Sequence, residues 1–319
     1  MPGILVAVTD SVFPNLDGAR EVVSKVGAEL RLAKAPTAEA ILEVAEMADA
    51  VLTTYAKVTA EMIRKMTRCR IIARFGIGVD NVDIPAATSA GIVVTKVPDY
   101  CIDEVSDHAM SLLLALVRKI PFSNSRVQAG RWEMPTVVPI HRLRGTVLGL
   151  VGFGRIPQLV APKAKAFGLR VITYDPFVAK EVFTQAGVEH VEFDELVEIS
   201  DYISIHCPLM PETHHLFNGD AFSRMKPTAY LVNTARGPIV DEAALAHALD
   251  QGQLAGAALD VMEKEPPSGS PLLGRDNVIV TPHTSFYSEE SLVELQTKAA
   301  EEVARVLTGQ APRNPVNLK

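Results

Sequence analysis

At 319 residues the chain is long enough for two domains, each with its own core. Apolar residues make up 48% of it and charges are mixed, so a soluble globular protein is expected and disordered or fibrous classes are excluded. A net charge of −7 with no basic block excludes nucleic acid and anionic membranes as expected partners.

The opening MPGILVAVTD enters an apolar run at once, with no charged n-region or cleavage site, which points to the cytoplasm. The longest apolar run, residues 109–117, is too short to span a bilayer. Three cysteines, Cys69, Cys101 and Cys207, lack metal-ligand spacing; they read as thiols in a reducing compartment, and no metal is expected. Residues 4–8 (ILVAV) read as a strand and 16–26 as a helix. Short strands recur at 28–32, 50–53, 71–73 and 92–94, with helical segments at 37–47, 59–66 and 84–90; Thr37 suits the first of these as its N-cap. Such βα alternation predicts a parallel sheet covered on both faces, so the first ~95 residues form one small α/β domain.

The loop RFGIGVDN at 74–81 follows the carboxyl end of a parallel strand, where open α/β sheets bind ligands. Gly76 and Gly78 would expose the N–H groups around Ile77, a cradle suited to a carboxylate. Residues 103–119 form a helix apolar over most of its circumference, with acids at its start and bases at its end; it reads as the crossing between domains. His108 within it reads as a packing residue. Residues 121–144, with Trp132 and three prolines, show little periodicity, and a stretch that long is expected to have a job or a partner.

Residues 147–175 carry the strongest single signal. An apolar strand runs from 147 to 151, Gly152 and Gly154 break it, and a helix follows to Phe167 and Gly168. A second strand at 171–174 closes on Asp175. Strand, glycine turn, helix, strand and acid make the layout of a dinucleotide-binding βαβ unit. Gly152 permits the sharp turn, and Gly154 has no side chain to keep a pyrophosphate from the backbone. The helix start at Arg155 and Ile156 offers free N–H groups to that phosphate. Asp175 stands where a carboxylate accepts hydrogen bonds from ribose hydroxyls. Pro157 takes the place of a third glycine, which a first helical turn tolerates, while Pro162 lies deeper and should kink the helix.

The alternation then resumes. Strands at 202–206, 229–232, 255–259 and 278–280 end in Cys207-Pro208, in Asn233-Thr-Ala-Arg-Gly237, at Asp260 and in Thr281-Pro-His-Thr-Ser285. Polar residues thus gather at the carboxyl ends of four strands of one sheet. A last helix at 289–307 would carry the chain back to the first domain.

These stretches resemble the NAD-dependent D-isomer-specific 2-hydroxyacid dehydrogenases, over essentially the whole chain. The resemblance rests on RFGIGVDN, GLVGFGRI at 149–156, Asp175, HCPL at 206–209, VNTARGPIVDE at 232–242, ALDVMEKEPP at 258–267 and TPHTS at 281–285. VPDYCIDEVSDHAMSLLLAL at 97–116 is similar to the C-terminal-binding-protein branch, beside the phosphoglycerate dehydrogenases.

The resemblance implies two Rossmann-like doubly wound parallel-sheet α/β domains, the first flavodoxin-like and completed by the C-terminal helix. Residues 1–100 with 287–319 would bind substrate, and 101–286 would bind NAD. It implies hydride transfer between NAD(H) and a small D-2-hydroxy acid or 2-keto acid, with Arg236, Glu265 and His283 catalytic. Gly76, Ile77, Gly78 and Arg236 would bind substrate. The cofactor would be met by Gly152, Gly154, Arg155, Ile156, Asp175, Cys207, Pro208, Thr213, Thr234, Ala235, Asp260 and Ser285. A homodimer built through the cofactor domain is implied as well, giving the 121–144 stretch its partner. Corepressor relatives of the family that sense NAD(H) define the alternative. Phosphoglycerate dehydrogenases resembling the chain carry a phosphate-binding arginine where LTTYAK at 52–57 has threonine, which speaks against 3-phosphoglycerate as main substrate.

The chemistry of the trio agrees. Arg236, a planar fork of donors, can orient a carboxylate and polarise the neighbouring carbonyl. His283 can move a proton near neutral pH, and Glu265 beside it would hold its tautomer.

Overall fold

A computed structural model describes residues 3–318. The chain divides into two compact units, residues 1–101 with 287–319, and residues 102–286.

The first unit alternates β1 (Ile4–Val8), α1 (Asp17–Ser24), β2 (Ala28–Leu32), α2 (Ala38–Ala45), β3 (Ala50–Thr53), α3 (Ala60–Lys65), β4 (Ile71–Arg74), α4 (Ile84–Ser89) and β5 (Val93–Thr95). All five strands pair parallel in the order β2-β1-β3-β4-β5, the flavodoxin-like arrangement. Every residue of β3 and β4 is buried, as strands covered on both faces must be. The helices start where side-chain oxygens can accept orphan N–H groups: Thr37 from Ala40, Thr59 from Met62 and Asp83 from Ala86.

The second unit opens with α5 (Ile102–Val117) and α6 (Ile120–Gln128), followed by a 3₁₀ turn at Met134–Val137. Then come β6 (Val147–Val151), α7 (Arg155–Ala166), β7 (Arg170–Tyr174), α8 (Lys180–Ala186), β8 (Glu189–His190), α9 (Phe193–Ile199) and β9 (Tyr202–Ile205). α10 (Gly219–Arg224), β10 (Tyr230–Asn233), α11 (Glu242–Asp250), β11 (Gly256–Leu259) and β12 (Val278–Val280) complete it. Seven strands pair parallel as β12-β11-β10-β9-β6-β7-β8. One face of the sheet is covered by α5 and α7 through Leu112, Leu113, Leu116, Val160 and Ala164. The other is covered by α9, α10 and α11 through Leu196, Phe222 and Leu245. Each large apolar side chain so buried contributes about 1.5–3 kcal/mol.

The chain ends in α12 (Glu289–Leu307), opened by a capping box between Ser288 and Ser291. α12 packs on α1, β3 and β4 of the first unit. The buried Glu302 carboxylate then accepts from the Arg313 and Asn314 N–H groups, and Pro315 bridges Thr95 at the β5 edge. Among the described residues no helix is long and apolar enough to cross a membrane.

Three local expectations need correction. The 121–144 stretch, which shows little periodicity, begins inside a helix, α6, with Pro121 in its first turn; α6 buries no residue, so it carries no buried stripe to read. β8 was not anticipated, because two exposed residues give no periodicity. The fifth strand begins at Val93 rather than Ile92. Pro162 lies inside α7, whose assignment continues through it.

Candidate active site

The order of the larger sheet creates a switch point. From β6 the chain moves outward through β7 and β8, then returns to lay β9 on the other side of β6. Loops leaving β6 and β9 therefore diverge, and a crevice opens between them at the carboxyl edge. Gly152 sits there with φ +93°, and a Cβ on it would lie 2.8 Å from the Cys207 backbone nitrogen. Only glycine allows the turn after β6 to press on the end of β9. Gly154 differs, because a Cβ there would meet nothing within 4 Å. Packing in the protein does not require glycine at 154; a ligand lying against the backbone would. Arg155 and Ile156 begin α7 beside this opening. Asp175 stands just past β7, with Oδ2 accepting from Phe153 N–H at 2.8 Å and Oδ1 from Phe177 N–H at 2.9 Å. The carboxylate thereby ties the glycine turn to the second strand. Past β9, burial pushes the Cys207 thiol up to about 12, so it stays neutral. Thr213 closes the following turn by donating to Pro208 O at 2.7 Å and accepting from Met210 N–H at 2.8 Å.

The ends of β10, β11 and β12 bring the second group together. Buried Asn233 holds the turn after β10, accepting from Ala235 N–H at 3.0 Å and donating to Arg236 O at 2.9 Å. Thr234 next to it has a buried hydroxyl with no hydrogen-bond partner among the described residues. Such a group normally finds one, in protein, water or ligand. Gly237 packs so tightly that a Cβ would fall 2.0 Å from the Met262 carbonyl carbon, which draws Arg236 to the 262–265 loop. Glu265 in that loop accepts from Met262 N–H through Oε1 at 3.0 Å and contacts His283 Nδ1 through Oε2 at 2.7 Å. Burial pushes the Glu265 carboxyl up, but the His283 hydrogen bond and charge, the Met262 N–H and the Arg236 charge together outweigh it. Its pKa lies below the usual 4.5. The Phe286 ring meets the His283 ring edge to face, 6.2 Å between centroids.

Asp260, after β11, has no exposed side-chain surface. It accepts from the Thr281 hydroxyl and from the Thr284 and Ser285 N–H groups. His108 on α5 makes a polar contact with Thr281, 3.1 Å from Nε2 to Oγ1, rather than serving only as packing. Thr281 and Asn233 are the site residues that motif reading passed over. Thr281 sits one residue before Pro282-His283 at a strand end, which is a usable signal, whereas its partner His108 lies 173 positions away.

The 74–81 loop belongs to the first unit and is described by itself. Gly76 has φ +147°, and the Arg74 guanidinium occupies the place a side chain would take. The Gly76 N–H donates to Arg74 O at 2.9 Å, so it is not part of an open cradle. No hydrogen bond among the described residues uses the Ile77 or Gly78 N–H.

A doubly wound sheet with a glycine turn at its switch point thus stands with an arginine and a carboxylate–histidine pair at one edge. Residues 110–285 match the D-isomer specific 2-hydroxyacid dehydrogenase NAD binding domain, and the chain belongs to that family. It is 41% identical to the D-3-phosphoglycerate dehydrogenase of Methanocaldococcus jannaschii, over 99% of this chain and 60% of that one. It is 38% identical to the glyoxylate reductase of Thermococcus litoralis, over 89% and 88%. Its fold matches the D-lactate dehydrogenase of Aquifex aeolicus, solved with NAD and lactic acid, with a TM-score of 0.90 and 28% identity over 99% of each chain. The chain spans 60%, 58% and 50% of the three phosphoglycerate dehydrogenases it matches first.

Glu265 yields a stability prediction. A carboxyl whose folded pKa is depressed contributes stability that is fully present above its unfolded pKa and lost as pH falls through the folded one. Glu265→Gln should therefore melt below wild type at pH 7, with the gap narrowing once the pH drops under 4.5. Melting curves between pH 7 and 3 check this, and a gap that stays constant would refute it.

Proposed function

We propose that the chain is an NAD-dependent oxidoreductase interconverting a small 2-keto acid and its D-2-hydroxy acid. The observation that carries the reading is the 2.7 Å pair of His283 and Glu265, set beside Arg236 at the carboxyl edge of an NAD binding domain. Gly154 and Thr234 fit a bound dinucleotide, since one leaves open space against backbone and the other offers a buried hydroxyl awaiting a partner. NADH, when bound, supplies the hydride.

The residues do the remaining chemistry. Glu265 is ionised and can only accept, so His283 Nδ1 carries the hydrogen between them. That leaves Nε2 to give a proton to the alkoxide as a keto acid is reduced, and to take one in reverse. Arg236 holds the substrate carboxylate in its fork and draws electron density from the adjacent carbonyl. In the 74–81 loop, the Ile77 and Gly78 N–H groups are of the kind that holds a carboxylate. Arg155, Ile156, Cys207, Pro208, Thr213, Ala235, Asp260 and Ser285 line or brace the dinucleotide's path.

Thr53 and Thr54, in the place where an arginine would read a phosphate, are buried. Thr53 accepts from Thr9, and Thr54 donates to the Asp10 backbone carbonyl. Neither offers a cation, which favours glyoxylate- or hydroxypyruvate-sized substrates over a phosphorylated one. α6 and the turn after it leave Trp132 87%, Met134 73% and Val138 62% exposed. Such a run of apolar surface suits a homodimer built through this unit.

Oxidation of NADH across a series of 2-keto acids tests the reading. Wild type should turn over at least one, and His283→Ala should lower its kcat by roughly 10²–10⁴-fold while NADH binding survives. Asp175 should repel a 2′-phosphate, so kcat/KM with NADH should exceed that with NADPH; equal values sink the cofactor assignment. Sedimentation should return twice the chain mass, and a monomer at micromolar concentration would remove the dimer.

A further inference from the structure

The Asp260 carboxylate is fully buried, and its hydrogen bonds form an ordered set. Oδ1 accepts from the Thr281 hydroxyl at 2.5 Å and from Thr284 N–H at 2.9 Å, and Oδ2 accepts from Ser285 N–H at 2.9 Å. A threonine hydroxyl has one hydrogen, and here it goes to Asp260. The 3.1 Å contact between Thr281 Oγ1 and His108 Nε2 is therefore one in which the ring nitrogen donates. His108 carries a hydrogen on Nε2, the nitrogen that also lies 3.6 Å from Asp260 Oδ1. Donors thus converge on Asp260 from two sides, from α5 through Thr281 and from the Thr284 and Ser285 backbone on the far side of His283.

His283 sits inside this loop with φ +52°, in the left-handed region. Its N–H donates to Asp260 O at 2.9 Å and lies 3.0 Å from Thr281 O. A residue with a Cβ is strained there and persists only where the surroundings over-determine it. Bonds flanking His283 on both sides, all converging on Asp260, provide that constraint.

We propose that Thr281 and His108 are positioning residues that act through Asp260 to hold His283 in the left-handed conformation presenting Nδ1 to Glu265. The proposal rests on the reading of His283 as the proton-transferring group. Asp260 then serves as the brace of the histidine loop, with His108 setting the direction of the Thr281 hydroxyl. Without that donor, the Thr281 oxygen is held on the Asp260 side alone.

The test uses paired substitutions in the intact protein. Thr281→Val keeps the shape and removes the hydroxyl, while Thr281→Ser keeps the hydroxyl. His108→Leu removes the donor, while His108→Gln keeps an N–H within similar reach. Thr281→Val and His108→Leu should lower kcat for keto-acid reduction by about 10-fold or more, as expected when a catalytic group is displaced by a fraction of an ångström or more. NADH binding, followed by fluorescence, should change little. Serine and glutamine should restore most of the rate. Amide exchange at Thr284 and Ser285 should quicken in Thr281→Val and not in Thr281→Ser, a readout that needs no turnover.

Wild-type rate and exchange in Thr281→Val would overturn the proposal. Equal losses in the valine and serine variants would do the same, since they would show packing rather than the hydroxyl at work. If wild type reduces no keto acid with NADH, the functional reading fails, and the exchange comparison still decides whether Thr281 braces the loop.

Discussion

A carboxylate removed from water survives only where hydrogen bonds replace its hydration, and Asp260 meets that condition through one stretch of chain, residues 281–285. Because the strand that carries Asp260 lies between β10 and β12, the loop it binds is drawn over the carboxyl edge of the sheet. His283 is placed by that attachment, and Glu265 and Arg236 are arranged around it. The proposed site depends on a buried charge outside Arg236, Glu265 and His283.

The sheet supplies the remaining geometry. In a parallel sheet every strand delivers its following loop to the same edge, so the glycine turn, the Cys207 turn, the Asn233–Arg236 turn and the histidine loop share one side. Two glycines bring loops closer than side chains would allow. Gly152 joins the ends of β6 and β9, and Gly237 joins the arginine turn to the 262–265 loop. Gly154 differs from both, with free space where a side chain would stand.

Charge is distributed unevenly over this edge. Glu265 is ionised in half-buried surroundings because a histidine, a backbone N–H and an arginine all favour its charged form. Cys207, two strands away, is kept neutral chiefly by burial, with the nearby Asp175 charge adding to it. One part of the edge thus carries an ionised acid and the other a neutral thiol.

Much of this was legible in the sequence, wherever one segment's own pattern decides its state. Strands covered on both faces must be largely apolar, which is why 50–53 read correctly and 202–206 overran β9 by His206 alone. Caps act over three residues, so Thr37 could be placed from its neighbours. Glycine spacing and the acid after the second strand showed the βαβ unit, and residues 278–280 and 289–307 match the observed β12 and α12. What the tertiary structure alone decided involves partners that no local pattern names. α6 buries nothing and so had no stripe to betray it. The Gly76 N–H looked open until the turn directed it to Arg74 O. His108 could be read only as packing, because its partner Thr281 is 173 residues away and reaches it only when α5 packs across β12. Periodicity reports which face of an element is buried; it does not report what that face will touch.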